Sequence, residues 1–163
     1  VQRVRFEDYA AHLGHARDQG IAMNARYVEN LGQQAILLEG AIDLLTQLSR
    51  RYKLAVATNG LTLVQRARLQ KSGLLPLFSG VFISQEMGLQ KPDKAYYSYI
   101  MEAFGDRAQD RYLMIGDSLS ADISGGVNAG IDTCWYHPAG VEAAEPQPTY
   151  TVRGYAELLE LLL

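Results

Sequence analysis

An α/β fold, a parallel sheet of Rossmann-like type with helices on both faces, is predicted by three observations. Short apolar runs at residues 53–57, 80–84, 111–116 and 131–136 alternate with longer stretches of helical periodicity. That alternation indicates a sheet buried on both sides. The signatures richest in chemistry, Ala57-Thr58-Asn59-Gly60, Gln90-Lys91-Pro92-Asp93 and Gly116-Asp117-Ser118 through Asp122, fall at or just beyond the ends of those runs. In such sheets ligands sit beyond the carboxyl ends of the strands.

The elements follow in order. Phe6, Tyr9 and Leu13, and then Ile21, Ala25 and Val28, stand at helical spacing, so residues 1–38 are expected to be helical and separate from the rest. Residues 39–163 are expected to form the α/β core. They open with a helix over 40–50 that carries Ile42, Leu45 and Leu48 on one side. Strand 53–57 is followed by a helix over 61–72, stopped by Gly73. After strand 80–84, Pro92 suits the first turn of a helix that runs to 104. Strand 111–116, a helix to Ala129 closed by Gly130, and strand 131–136 come next. Residues 140–148, with Pro146 and Pro148, read as a loop, 149–152 as a last short strand and 155–163 as a docking helix.

The bulk properties narrow the function classes. With 163 residues, 48% hydrophobic and 20% charged, the chain has the composition of a globular domain with a real core. A net charge of −3 speaks against a nucleic-acid polymer as partner. No apolar run approaches the ~18–20 residues of a membrane helix, and no signal peptide opens the sequence, so no membrane partner and a cytoplasmic location are expected. The single cysteine, Cys134, allows no internal disulfide and reads as a buried small residue of a strand.

Together the signatures supply a hydroxyl, an ammonium and a pair of carboxylates. Asp117 follows an apolar strand, and Asp122 stands five residues on, in the first helical turn. Two carboxylates this close need a cation or a helix N-terminus to offset their repulsion. Magnesium, which takes oxygen ligands from one or two carboxylates plus phosphate and water, suits the pair. A turn at Asp117 with Asp122 complementing the helix dipole is the alternative. Thr58 and Asn59 offer a hydroxyl and amides to an anion at a helix start, or one of them caps that helix. Lys91 is a compact point charge suited to a phosphate or a carboxylate, fixed by Pro92.

In this order the signatures resemble the haloacid dehalogenase-like (HAD) phosphohydrolase superfamily, over essentially the whole chain. The stretches 57–62, Lys91-Pro92, 116–118 through Asn128-Ala129-Gly130, Thr133-Cys134-Trp135 and Tyr150-Thr151-Val152 are most similar to its house-cleaning pyrimidine 5′-nucleotidase branch. The resemblance implies a Mg²⁺-dependent phosphatase acting through an aspartyl-phosphate on small phosphomonoesters, nucleoside 5′-monophosphates first. It implies that Thr58 and Asn59 hold the phosphoryl group, that Lys91 neutralises the nucleophile and developing charge, that Asp117 ligates Mg²⁺, and that Asp122 orients that site from behind. It also implies that residues 1–38 are part of a helical cap. The family's first motif, an apolar strand followed by Asp-x-Asp, does not occur in this sequence. The central strand of the family's sheet, between those ending at Thr58 and Asp117, is therefore expected to be missing, leaving two open edges. The chain by itself is expected not to turn over phosphate esters.

Two other readings compete. A haloacid dehalogenase of the same fold needs no Mg²⁺, and the acid pair argues against it. A non-catalytic binding module accounts for the missing nucleophile but not for Thr58, Lys91 and Asp117 together. His12 and His15, whose spacing would also suit a metal, are expected at the surface; His137 is expected in a loop, with the rim of the site as the alternative; Tyr96, Tyr97 and Tyr99 are expected in packing roles rather than as a stacking platform, and Phe6 and Tyr9 in packing the cap rather than touching a base.

Overall fold

The computed structural model describes residues 4–140 and 145–163 in full and the backbone of Gln2 and Arg3. Val1, where the expected first helix starts, and residues 141–144 of the expected loop lie outside the described residues. The chain divides into two compact units, the segment up to Leu37 with Leu61–Leu75, and Leu38–Gly60 with Pro76–Leu163. No helix among the described residues is long and apolar enough to cross a membrane.

The first unit is helical. The expected 1–38 helix is two, α1 (Gln2–His12) and α2 (Arg17–Gln33), because Ala16 and Gln34 take extended backbone. Glu7, buried on α1, receives the Arg17 Nε at 2.6 Å. The rings of Phe6 and Tyr27 pack with centroids 5.2 Å apart. The helix that follows the first strand, α4 (Thr62–Lys71), packs on α2. There Arg68 Nε donates to the Leu31 carbonyl at 2.9 Å and Lys71 Nζ to that of Gln33 at 2.7 Å, closing the C-terminal end of α2.

The second unit holds the strands β1 (Ala55–Thr58), β2 (Gly80–Ile83), β3 (Leu113–Gly116), β4 (Asp132–Tyr136) and β5 (Tyr150–Val152). Every pairing is parallel. β1 pairs with β2 in register Thr58↔Ile83, β3 with β4 in register Gly116↔Trp135, and β4 with β5 in register Tyr136↔Val152. Helices cover both faces, as expected. On one face α3 (Ala41–Ser49) and α8 (Tyr155–Leu162) bury Leu44, Leu48 and Leu158 against Cys134 and Val152. The buried stripe of α3 is the i, i+4 pair Leu44 and Leu48 rather than the expected set, and Ile42 is exposed. On the other face α6 (Lys94–Ala103) and α7 (Ser124–Ala129) bury Tyr96, Tyr97, Ile100 and Ala129 against β2 and β3.

Two local expectations shift. Pro92 precedes α6 instead of standing in its first turn, because Asp93 takes the extended N-cap conformation and the helix starts at Lys94. A one-turn helix, α5 (Ser84–Met87), follows β2 directly. After β3 the chain makes a π-helical turn, Leu119–Ile123, before α7. Ser118 causes it. Its carbonyl accepts both the Asp122 and the Ile123 N–H, at 2.8 and 3.1 Å, and its Oγ accepts the Ala121 N–H at 3.1 Å.

The strands form two sheets, β1-β2 and β3-β4-β5. β1 and β3 make no ladder with each other, and each has an open edge. A slot of about 770 Å³ lies between these edges, lined by Ala55 and Ala57, by Leu113 and Ile115, and by Ile100 and Phe104 of α6.

Candidate active site

Lys91 is the hub of the carboxyl edge. Its Nζ donates to Asp122 Oδ1 at 2.6 Å and to the Ala57 carbonyl at 2.8 Å. The second oxygen of Asp122 accepts the Ser118 N–H at 3.1 Å. This linkage joins the end of β1 to the turn after β3 and brings the signatures of Thr58, Lys91, Asp117 and Asp122 to one place. The ammonium and carboxylate side chains of the pair are only 9% and 7% exposed. Burial of both charges is tolerable because each is met by its partner and by a main-chain group.

Gly116 explains how Asp122 gets there. A Cβ at that position would overlap the Asp122 carboxylate, so only glycine lets the π-helical turn fold back over the strand end. Behind the pair, Tyr97 donates its hydroxyl to the Asp122 carbonyl at 3.3 Å, and Tyr96 to that of Phe82 at 2.7 Å. Burial pushes the Tyr96 phenol up to about 12, with a Thr58 backbone hydrogen bond opposing and the Asp122 charge adding to it. Burial first, and then the Asp122 charge, raise Tyr97 as well.

Asn59 does not cap α4, which starts at Thr62 behind Leu61. Its carboxamide instead grips the Lys91 main chain. Nδ2 donates to the Lys91 carbonyl at 2.8 Å, and Oδ1 accepts the Lys91 N–H at 2.9 Å. Asn128 Nδ2 holds the adjacent Pro92 carbonyl at 3.2 Å. Among the described residues the Thr58 hydroxyl, half-buried at the end of β1, carries no hydrogen bond.

Asp117 is exposed, and its carboxylate has no partner among the described residues. Its main chain is fixed, since Trp135 Nε1 donates to its carbonyl at 2.9 Å. The Trp135 ring stacks on His137 with centroids 4.1 Å apart and planes 9° from parallel. The sequence offers the rim of the site only as the alternative reading of His137 and assigns no site role to Trp135. His12 and His15 are exposed on the first unit, and no group of three or more His, Cys, Asp or Glu among the described residues could hold a metal. Magnesium nevertheless fits this edge. It needs only one or two protein carboxylates, and Asp117 is an open hard-oxygen donor, whereas both oxygens of Asp122 are engaged.

Parallel strands covered by helices on both faces, with hydroxyl, ammonium and carboxylate near their carboxyl ends, make a Rossmann-like α/β architecture. More narrowly, the chain belongs to the haloacid dehalogenase-like hydrolases, whose family model matches residues 2–130. It is 47% identical to the pyrimidine 5′-nucleotidase PynA of Streptococcus pneumoniae, over 98% of this chain and 68% of that protein. It is 35% identical to the pyrimidine 5′-nucleotidase YjjG of Escherichia coli, over 99% of this chain and 71% of that protein. Among solved structures, the HAD-hydrolase YfnB of Bacillus subtilis, bound to magnesium, superposes with a TM-score of 0.87 at 38% identity, over 98% of this chain and 70% of that one. By these comparisons the chain is a hydrolase of the haloacid dehalogenase-like family.

Proposed function

We propose that the chain serves the Mg²⁺-dependent hydrolysis of nucleoside 5′-monophosphates, pyrimidine nucleotides first, with transfer of the phosphoryl group to an aspartate. The observation that carries this reading is the Ala57–Lys91–Asp122–Ser118 linkage, which gathers Thr58 and Asp117 about one cation and one buried ion pair. The substrate class rests on the names of the two nucleotidase relatives. The cytoplasm, where such mononucleotides form, is the compartment this substrate implies.

The roles proposed for the residues draw on the family resemblance and are supported by these contacts. The Thr58 hydroxyl and the Asn59 backbone N–H take phosphoryl oxygens. Lys91 neutralises the attacking carboxylate and the charge that develops at phosphorus. Asp117 holds the metal, and Asp122 keeps the ammonium aimed. When bound, Mg²⁺ neutralises the phosphoryl oxygens. The attacking carboxylate rides on an extended apolar strand in the slot between β1 and β3. A parallel strand there would lie about 4.8 Å from each neighbour and close both open edges. Its carboxylate oxygen bonds to phosphorus as the ester P–O bond breaks; the second carboxyl of the Asp-x-Asp protonates the departing alkoxide and then takes a proton from the water that cleaves the acyl phosphate.

The test compares phosphate release from UMP by the 163-residue chain alone and by the same chain preceded in frame by an apolar strand ending in Asp-x-Asp. Mg²⁺-dependent release only with the added strand is expected. Robust release by the chain alone would reject the slot as the nucleophile's seat and leave the phosphatase reading standing. No release from any phosphomonoester, with chloride release from a 2-chloro acid without metal, would shift the reading to a dehalogenase.

A further inference from the structure

The contacts around Trp135 carry an inference that rests on the reading of Asp117 as the metal-holding residue. We propose that Trp135 is a positioning residue for Asp117, and that His137 holds Trp135 in place by stacking.

Asp117 needs such a device. It follows Gly116, the residue least able to restrain a backbone, and its own side chain has no partner among the described residues. A carboxylate meant to ligate a cation must stay free of protein partners, so its direction has to be set through the main chain. The indole N–H supplies that hold at 2.9 Å, from a ring only 5% exposed. The register Gly116↔Trp135 puts the tryptophan level with the last residue of β3, one residue short of Asp117.

The indole is itself restrained. His137 is tied to β5 by its N–H, which donates to the Val152 carbonyl at 2.8 Å. Its ring lies flat against the indole at 4.1 Å. The imidazole Nε2 is buried and has no hydrogen-bond partner among the described residues. A buried ring nitrogen left without a partner is costly, and the stack is what the ring gains in that position. The run from β5 through His137 and Trp135 thus braces the carbonyl side of the Asp117–Ser118 peptide, whose N–H side Asp122 holds.

The test uses the 163-residue chain and the variants W135F, H137F, H137A and D117N. W135F keeps an aromatic ring and loses the N–H donor. H137F keeps the stack and loses the ring nitrogens. The first readout needs no metal. ¹⁵N relaxation of the Asp117 and Ser118 amides should show lower order in W135F than in the parent, with β5 and α8 amides unchanged. The second is Mg²⁺ affinity by calorimetry. W135F should bind about tenfold more weakly and H137A severalfold more weakly, while H137F stays near the parent value. In the parent, Mg²⁺ should shift the Trp135 indole resonance, and D117N should abolish that shift. Unchanged amide order in W135F overturns the proposal, and so does unchanged affinity where the parent binds Mg²⁺. If W135F fails to fold, the contrast between H137A and H137F decides. If the parent binds no Mg²⁺, the metal role of Asp117 fails, and the amide order alone decides the role of Trp135.

Discussion

Replacing Lys91 by methionine removes the ammonium at the centre of the site and keeps most of the side-chain volume. The structure sets the magnitude. At 2.6 Å, the gross attraction of the Lys91–Asp122 pair is about 6 kcal/mol at an effective dielectric of ~20. Desolvation of both groups, 9% and 7% exposed, offsets most of it, so the pair is worth little against an apolar pair of the same shape. Removing one partner is different, because Asp122 is then buried with only the Ser118 N–H to meet it. K91M should therefore destabilise the second unit by about 3–5 kcal/mol. D122N should cost a similar amount. The double variant should cost no more than the worse single one, a coupling of at least about 3 kcal/mol. Equilibrium urea unfolding followed by Trp135 emission measures this, since Trp135 is the only tryptophan and lies in that unit. Additive costs, with coupling below about 0.5 kcal/mol, would show that the two charges do not depend on each other.

G116A should cost about 1–3 kcal/mol in the same assay, because its Cβ displaces the Asp122 carboxylate; a change too small to measure would mean the turn can move aside. N59A should weaken inorganic phosphate binding about tenfold in calorimetry, since the Lys91 main chain loses both of its side-chain partners. Cys134 is fully buried and its thiol is pushed up to about 11, so an aromatic disulfide reagent at about pH 8 should modify it only after denaturant is added. The raised phenols of Tyr96 and Tyr97 make the folded state hold their protons more tightly than the unfolded state does. Their stabilisation is complete below about pH 10, where tyrosines of the unfolded chain begin to ionise. It should then fall by about 1.4 kcal/mol per pH unit for each tyrosine until the folded phenols titrate, near 12 for Tyr96. Y96F should flatten that fall, as read by urea unfolding across the alkaline range.

The apolar runs located β1 to β4, and residues 149–152 read as the strand observed as β5, but the ends moved where pairing decides them. β1 includes Thr58 because Thr58 pairs with Ile83, and β3 starts at Leu113 because Gln109–Arg111 form a 3₁₀ turn just before it. At the site, residue type made Thr58, Lys91, Asp117 and Asp122 visible. The partners that hold them were not legible. The Asn59 carboxamide reaches 32 positions along the chain to Lys91, and the Trp135 indole reaches 18 positions back to Asp117. His137 lies in the loop after β4 as read, but nothing in its neighbourhood states that its ring stacks on Trp135.

The sequence by itself determined the alternation of strands and helices and the set of chemically competent side chains, because hydrophobic period and functional-group identity are local properties of a chain. Only the tertiary structure decided that β1 and β3 face one another across a slot, that Gly116 is bare so that Asp122 can fold back onto Lys91, and that the Trp135 indole N–H meets the Asp117 carbonyl. Those outcomes depend on groups distant in sequence meeting at hydrogen-bond range, where burial gives each contact its strength.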